Sequence, residues 1–435
     1  MRWIHRLRGP AATVVVLGVL AASLTGPPGA AGEDAAAGHH RRDTWVGGWA
    51  ASMGPPGSAG ISATGFADRT LRLVAHTAVA GTAVRIRLSN VYGTVPLDIG
   101  TAMVALRADG AATVPETRRT VTFDGRPDLT IPPGGQATSD PVPLRVGDGA
   151  DVVVSLYLPT PTGPATWHGW ANQTSYLSAP GDHSTEDGAA AYPDKTTSTF
   201  FLEGLDVSTT AAGGTVVAFG DSITEGGATT KDANRRWPDV LARRLAAGPP
   251  HERLSVVNEG IGGNRVLTDA GFASDGRINL GVNALARFGR DTLAQPGVRS
   301  VILLEGTNDL GGGGHGVHPG RPLTADQLIA GLHTLVRAAH ARGVAIFGGT
   351  ITPNGKLDPV NERIRGQVNT WIRGSGAYSA FDGVIDFDAA LRDPADPHRL
   401  LPAYDSGDHV HPNDTGLRAM ADTVDTRALH RPPRP

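Results

Sequence analysis

The sequence predicts an α/β fold with a three-layer, doubly wound parallel sheet, preceded by an all-β sandwich or jelly-roll-like domain. From residue 44 to about 207, short runs alternate apolar and polar side chains between Gly- and Pro-containing turns, as antiparallel strands do. After residue 211, apolar runs alternate with stretches that repeat at helical spacing. The chain has 435 residues, which is long enough for each half to bury its own core.

The strands of the first half are predicted from period-two patterns. Residues 83–89 alternate cleanly, and residues 152–158 place four apolar side chains on one face. Residues 71–74 and 121–123 have similar patterns, and no amphipathic helix of useful length stands out between them. We therefore expect a β-sandwich module over residues 44–210.

The second half is predicted to repeat the order strand, helix, strand. One helix has an apolar stripe between residues 328 and 339, and Thr324 with Gln327 forms a capping box at its start. Such repeats give a parallel sheet covered by helices on both faces, here over residues 211–430 with a tail at 431–435. The predicted strands are residues 216–219, 254–257, 301–304, 344–347 and 384–385.

The first residues indicate export. The positive start consists of Arg2, His5, Arg6 and Arg8. Residues 11–24 are apolar, and small residues at 29–31 suit a signal peptidase. The apolar run is shorter than the roughly 20 residues that a membrane span needs. We predict a signal peptide over residues 1–31, a linker over 32–43, an extracellular location and no membrane span in the mature protein.

Composition excludes several classes of function. The formal net charge is −3 without long runs of one sign, so neither nucleic acid nor an anionic membrane surface is an expected partner. The chain has no cysteine. A cysteine nucleophile, a thiolate metal site and disulfides are therefore excluded, and a covalent catalyst would have to be Ser, Thr, Asp, Glu, Lys or Tyr.

A candidate nucleophile follows the first strand of the second half. Residues 220–226 read Gly-Asp-Ser-Ile-Thr-Glu-Gly, which places Ser222 at the carboxyl end of a buried strand, where ligands collect in α/β folds. Thr224 stands where the Gly-x-Ser-x-Gly elbow would need glycine. A serine hydroxyl needs an adjacent base to take its proton.

The end of the chain offers such a base. Asp408 and His411 are three residues apart, a spacing that lets the carboxylate accept from Nδ1 while Nε2 faces the serine. His409, with Asp405 as its acid, is the rival base. We favour Asp408 and His411.

Two further blocks could stabilise the negative charge of an acyl-transfer transition state. Residues 258–264 contain Gly262 and Gly263, whose N–H groups can approach an oxyanion closely. Residues 306–309 read Gly-Thr-Asn-Asp and offer the side-chain amide of Asn308.

The four ordered blocks resemble the GDSL/SGNH family of serine esterases and acylhydrolases over roughly residues 214–430. The resemblance implies an SGNH/flavodoxin-like sheet, a catalytic triad and an oxyanion hole, with neither cofactor nor metal. Residues 45–50 and 84–90 also resemble the amino-terminal module of secreted two-domain members, a likeness that says little about chemistry. A carbohydrate is a separate candidate partner for the β-rich module. Position by position, the implied catalytic residues are Ser222, Asp408 and His411, and the implied oxyanion-hole residues are Ser222, Gly263 and Asn308.

The expected function is hydrolysis of carboxylic esters through an acyl-serine intermediate, on a small-molecule or polysaccharide ester. Short acyl or acetyl groups are favoured because no long apolar lid helix is evident. The alternatives are a lipase or acylhydrolase that acts on longer chains, and a non-catalytic carbohydrate-binding surface protein.

Three other groupings have weaker interpretations. His315 and His318 with Asp309 could hold a metal, but a flap beside the site is favoured. Two further groupings could serve a glycosidase or a sugar-stacking platform, but ordinary structural roles are favoured for both: Asp386 with Asp388, and Trp167 with Trp170 and Tyr176.

Overall fold

Antiparallel strands build the first half of the computed structural model, which describes residues 43–311, 322–374 and 381–434. The predicted signal peptide and almost all of the predicted linker lie outside these ranges. A short helix, α1, spans Ile61–Thr64. The strands are β1 (Thr44–Ala50), β2 (Arg69–His76), β3 (Ala83–Ser89), β4 (Leu97–Ile99), β5 (Thr101–Leu106), β6 (Arg119–Thr120), β7 (Leu129–Ile131), β8 (Gln136–Thr138), β9 (Asp151–Leu158), β10 (Trp167–His168), β11 (Ser175–Pro180), β12 (Asp194–Thr196), β13 (Thr199–Phe200) and β14 (Leu202–Thr209).

Two of the sheets face each other across one apolar core. The first has the order β1-β14-β3-β8 and the second the order β12-β11-β2-β9-β5-β6. Val84 and Leu205 of the first sheet belong to the same buried cluster as Leu73 and Val154 of the second. The predicted sandwich is confirmed, and its core is formed by the alternating residues that the sequence pattern indicated.

The second half alternates strands with helices. Its strands are β15 (Thr215–Gly220), β16 (Ser255–Gly260), β17 (Val298–Leu304), β18 (Ala345–Gly349) and β19 (Gly383–Ile385). Its helices are α2 (Ser222–Glu225), α3 (Trp237–Ala246), α4 (Ala284–Phe288), α5 (Thr307–Gly311), α6 (Ala325–His340), α7 (Pro359–Arg373), α8 (Phe387–Leu391) and α9 (Asp414–Thr423). A π-helical turn, Gly289–Leu293, follows α4, and 3₁₀ turns lie at Pro115–Thr117, Pro250–Glu252 and Ala428–His430.

The five strands form one parallel sheet in the order β16-β15-β17-β18-β19. Val217 and Val301 pack with residues of α6 and α7 on one face. Their neighbours Val216 and Ile302 pack with residues of α3 and α9 on the other face. The predicted three-layer, doubly wound sheet is confirmed, as is the capping box that Thr324 forms at the start of α6.

Strand β1 joins the two halves. It pairs with β14 in the sandwich and also lies beside β16, the edge strand of the parallel sheet. The Gly47 N–H donates to Thr215 Oγ1 at 2.9 Å, and Ser255 Oγ donates to the Gly47 carbonyl at 2.6 Å. The described residues thus form one compact unit. The division of the chain into a β-sandwich domain over residues 44–210 and a second domain over residues 211–430 stays a prediction.

The described helices include none with the length and apolar character that a bilayer span requires.

Candidate active site

The candidate nucleophile lies in the turn between β15 and α2. Ser222 is the first residue of α2, and the carboxylate of Asp221 caps this short helix by accepting from the Ile223 N–H at 2.9 Å. Burial raises the pKa of Asp221 to about 7. Gly220 is required at the turn, because a Cβ there would lie 2.2 Å from Thr224 Oγ1. The small turn leaves Ser222 at the carboxyl edge of the sheet.

The structure brings Ser222, His411 and Asp408 together in one chain of hydrogen bonds. Ser222 Oγ lies 2.8 Å from His411 Nε2, and His411 Nδ1 lies 2.6 Å from Asp408 Oδ2. If Nδ1 carries the proton that Asp408 accepts, Nε2 has a lone pair for the serine proton. This arrangement can activate the hydroxyl for nucleophilic attack.

Asp408 is held in its ionised form. Partial desolvation opposes ionisation, but the hydrogen bonds from the His411 ring and from the N–H groups of His411 and Val410 hold the pKa of Asp408 well below its usual range. Both N–H groups donate to Oδ1, at 2.8 and 2.9 Å, so Oδ2 remains for the ring. The carboxylate can therefore stabilise an imidazolium at neutral pH.

The rival pair also forms, but next to the triad. His409 Nδ1 lies 2.6 Å from Asp405 Oδ2, and 63% of the His409 side chain is exposed. His409 has a φ of +65°, a left-handed conformation that is uncommon outside glycine. The imidazole that contacts Ser222 is that of His411.

The two loops that carry the predicted oxyanion donors leave the sheet on either side of Ser222. Strands β16 and β17 flank β15, and Gly220 is in register with Gly260 on one side and with Leu304 on the other. The order of the strands reverses between β15 and β17, the position where open α/β sheets bind ligands. Gly263 and Asn308 follow the two flanking strands.

Both glycines of the β16 loop are tightly packed. Gly263 has a φ of +79°, and a Cβ there would lie 2.9 Å from Leu280. A Cβ on Gly262 would lie 2.4 Å from Trp170 Cε3. A side chain is therefore excluded at both positions, which keeps the backbone next to the site open.

Asn308 and Asp309 tie the loop after β17 to the loop after β16. Asn308 Nδ2 donates one hydrogen to the Asn264 carbonyl at 3.0 Å, and an amide nitrogen has a second hydrogen to offer. The Asp309 carboxylate accepts from the N–H groups of Val266 and Leu267 at 2.8 and 3.1 Å. Burial raises the pKa of Asp309 to about 6 although these hydrogen bonds favour the charged form.

Sequence reasoning missed Arg287, which is fully buried beneath the site. Its guanidinium donates to the carbonyls of Gly220 and Glu259 at 2.9 and 2.8 Å. It also donates to Asn264 Oδ1 at 2.8 Å and to Ser52 Oγ at 2.9 Å. One side chain thus connects β15, the β16 loop and the segment after β1.

The surroundings of Arg287 explain how a charge is kept inside the protein. The guanidinium stacks on the Phe219 ring, 3.9 Å from its centroid, and pairs with Glu305 at 3.3 Å. Burial raises the pKa of Glu305 well above its usual range. The sequence signal that could have found Arg287 is its position on α4, on the same face as the buried Ala284 and Phe288.

The weaker groupings have structural roles where they are described. Asp386 pairs with Arg373 at 2.7 Å, and Asp388 pairs with Arg365 at 2.6 Å, so neither carboxylate is available as a glycosidase acid. His315 and His318 lie outside the described residues. Within the described ranges no group of three His, Asp or Glu side chains is placed to hold a metal ion.

The three aromatic residues do not form one platform. Trp167 is buried and stacks on Phe200, and Tyr176 is buried in a different cluster. Trp170 differs from both, because 37% of it is exposed and it lies against Gly262.

Residues 218–419 match the sequence profile of the GDSL-like Lipase/Acylhydrolase family. These residues form a GDSL-like lipase/acylhydrolase domain. The match includes Ser222, Gly263, Asn308, Asp408 and His411. No curated protein matches the chain in sequence.

Several solved structures resemble the GDSL-like half. An acetylxylan esterase from Geobacillus stearothermophilus is 22% identical, covers 51% of this chain and 96% of its own, and has a TM-score of 0.36. An alpha/beta hydrolase from a Lake Arreo metagenome is 20% identical, with coverages of 51% and 98% and a TM-score of 0.37. A member of the lipolytic G-D-S-L family from Veillonella parvula is 20% identical, with coverages of 48% and 94% and a TM-score of 0.33.

Proposed function

We propose that this GDSL-like hydrolase cleaves carboxylic esters through an acyl-serine intermediate, with short acyl or acetyl groups favoured. The observation that carries the proposal is the hydrogen-bonded chain of Ser222, His411 and Asp408, with distances of 2.8 and 2.6 Å. The family match supports hydrolysis, and the triad supports the covalent route.

In the proposed reaction, His411 Nε2 takes the hydroxyl proton as Ser222 Oγ attacks the ester carbonyl. The oxyanion is stabilised by the N–H groups of Ser222 and Gly263 and by the amide of Asn308, and the loss of one such donor typically costs about 3 kcal/mol. Collapse of this intermediate breaks the ester bond, and His411 returns the proton to the leaving alcohol. A water molecule then attacks the acyl-serine, His411 takes its proton, and the acid leaves with the Ser222 hydroxyl restored.

Location and partners belong to the same proposal. The charge and apolar pattern of residues 1–31 supports a signal peptide and therefore an extracellular enzyme. An extracellular ester substrate could be a small molecule or an acylated polysaccharide, and the sandwich could contact the carbohydrate.

The variant Ser222→Ala tests the proposed function. We expect it to lose at least about 10³-fold in kcat on p-nitrophenyl acetate, because the variant lacks the hydroxyl that lies 2.8 Å from His411 Nε2 and would form the acyl-enzyme. A fluorophosphonate probe should label the wild type and fail to label the variant.

The matched control is Ser274→Ala, since Ser274 is exposed and should keep both the activity and the labelling. Retention of hydrolysis and labelling by Ser222→Ala would contradict the proposal.

A further inference from the structure

An apolar surface lies beside the proposed oxyanion donors, and both halves of the protein contribute to it. We call Trp170, Ile278 and Leu280 the apolar wall. Trp170 is exposed, and Ile278 and Leu280 are partly exposed. Trp170 follows β10 of the sandwich, whereas the other two precede α4.

The apolar wall contacts the loop that carries the proposed donor Gly263. The Trp170 ring packs on Gly262, because a Cβ there would lie 2.4 Å from its Cε3 atom. Leu280 packs on Gly263, where a Cβ would lie 2.9 Å from both of its Cδ atoms. Ile278 continues the surface, since a Cβ on Gly169 would lie 2.9 Å from its Cδ1 atom.

The segment that carries Trp170 is fastened to the segment that follows Ser222. Asn172 Nδ2 donates to the Gly226 carbonyl at 2.8 Å, and the Asp232 N–H donates to the Asn172 carbonyl at 3.1 Å. The Asp232 carboxylate accepts from Thr174 Oγ1 at 2.6 Å. Hydrogen bonds after Trp170 and ring packing on Gly262 fix the indole in place, so its exposed part is a pre-formed surface.

The position of the apolar wall indicates which part of an ester it contacts. The leaving alcohol must face His411, because His411 returns a proton to it. The wall contacts the β16 loop, whereas Gly227 of the segment after Ser222 lies beside His411, where a Cβ would be 3.7 Å from His411 Cδ2. The acyl group, which points away from the base, is the part that can lie along the wall.

We infer that the apolar wall is the acyl-binding surface, and that Trp170 of the sandwich is a specificity residue for acyl chains longer than acetyl. The inference rests on the proposed ester hydrolysis. Each methylene removed from water by such a surface changes kcat/KM by about fourfold. Because Trp170 follows β10 of the sandwich, the sandwich thereby completes the substrate site.

Trp170→Ala, Trp170→Phe and Leu280→Ala test the inference with two ester series. The first series keeps p-nitrophenol and extends the acyl group from acetyl to octanoyl. The second keeps acetyl and enlarges the alcohol. We expect Trp170→Ala and Leu280→Ala to lower kcat/KM for butyryl and longer esters by about tenfold, with acetyl esters changed less than about twofold. For Trp170→Phe, the loss in kcat/KM on butyryl and longer esters should be smaller than for Trp170→Ala. In the series that enlarges the alcohol, kcat/KM should hardly change for any of the three variants.

Val360→Ala, an exposed apolar residue on α7, is the control and should leave both series unchanged. An unchanged acyl profile, a change confined to the alcohol series, or an equal loss on all chain lengths would each overturn the inference. Normal fluorophosphonate labelling of these variants would show that the proposed esterase function stands regardless.

Discussion

Asp408 uses its two carboxylate oxygens for different tasks. Oδ1 accepts from the backbone of Val410 and His411, and Oδ2 lies 2.6 Å from the His411 ring. The loop backbone therefore holds the Asp408 carboxylate in place, and the carboxylate orients the His411 ring. This explains why the two residues are only three positions apart in the sequence.

We expect Asp408→Asn to lower kcat on p-nitrophenyl acetate by about 10³- to 10⁴-fold with little change in KM, because an amide does not stabilise the imidazolium. Steady-state kinetics measures the effect. Asp405→Asn is the matched control, since Asp405 orients the exposed His409, and it should change kcat less than about threefold. The reverse result would assign the base to His409.

The loops after β16 and β17 behave as one element at the edge of the sheet. Asn308 bonds the Asn264 carbonyl, and Asp309 accepts from two N–H groups of the same loop. Burying the Asp309 carboxyl is costly, which is why its pKa is raised from 3.8 to about 6. The stability of this edge should consequently depend on pH.

The pKa of Asp309 gives the sign of this dependence. Below about pH 4 the carboxyl is protonated in both the folded and the unfolded state, so it contributes no difference. Between about pH 4 and 6 it ionises first in the unfolded state, so the wild type loses stability as the pH rises. The asparagine of Asp309→Asn would not ionise, so the variant should not lose this stability. We expect the unfolding free energy of Asp309→Asn minus that of the wild type to increase by roughly 2–3 kcal/mol as the pH rises from about 4 to 7.

Urea unfolding of both proteins across this range measures that difference. A difference that stays constant with pH would contradict the assigned shift. Asp326→Asn is the control, because Asp326 is exposed in the first turn of α6 and substitutions at exposed positions typically change the unfolding free energy by less than about 0.5 kcal/mol.

At the scale of the whole molecule, a buried polar network crosses from the sandwich to the parallel sheet. Arg87 of β3 donates to Gln295 at 2.7 Å, and Gln295 donates to the Glu259 carboxyl at 2.6 Å. Ser52 donates to the same carboxyl and accepts from Arg287. Because such groups are costly to leave unpaired, the two halves depend on each other for stability.

We expect Ser52→Ala to lower the unfolding free energy by about 1–3 kcal/mol, because it removes a partner from both Glu259 and Arg287 inside the protein. Urea unfolding followed by tryptophan fluorescence measures the loss. Ser58→Ala is the matched control, since the exposed Ser58 bonds the Gly276 carbonyl and its loss should cost less than about 0.5 kcal/mol. Equal effects of the two substitutions would argue against the network.

The sequence predicted those features whose determinants are short and local. Ser222 follows an apolar strand directly, and Asp408 and His411 share one loop. Short stretches of sequence were therefore enough to indicate them as candidate site residues. Arg287 could not be found in this way, and neither could the contact of Trp170 with the β16 loop. Arg287 donates a hydrogen bond to Ser52, although 235 positions separate the two residues in the sequence. Trp170 contacts Gly262 only because the two halves pack together. The sequence placed Trp167 and Trp170 in one group, whereas Trp167 is buried and Trp170 is exposed.

The pairing of β1 with β14 has a consequence for the order of folding. Thr44 and Thr209 are partners although 165 positions separate them, so the first strand cannot close its sheet until nearly half of the polypeptide has been synthesised. Pairing between residues so far apart in the sequence is slow to form. Until it forms, the unpaired backbone N–H and C=O groups of β1 can pair with other nascent chains. Refolding yield should consequently be limited by protein concentration more than by final stability.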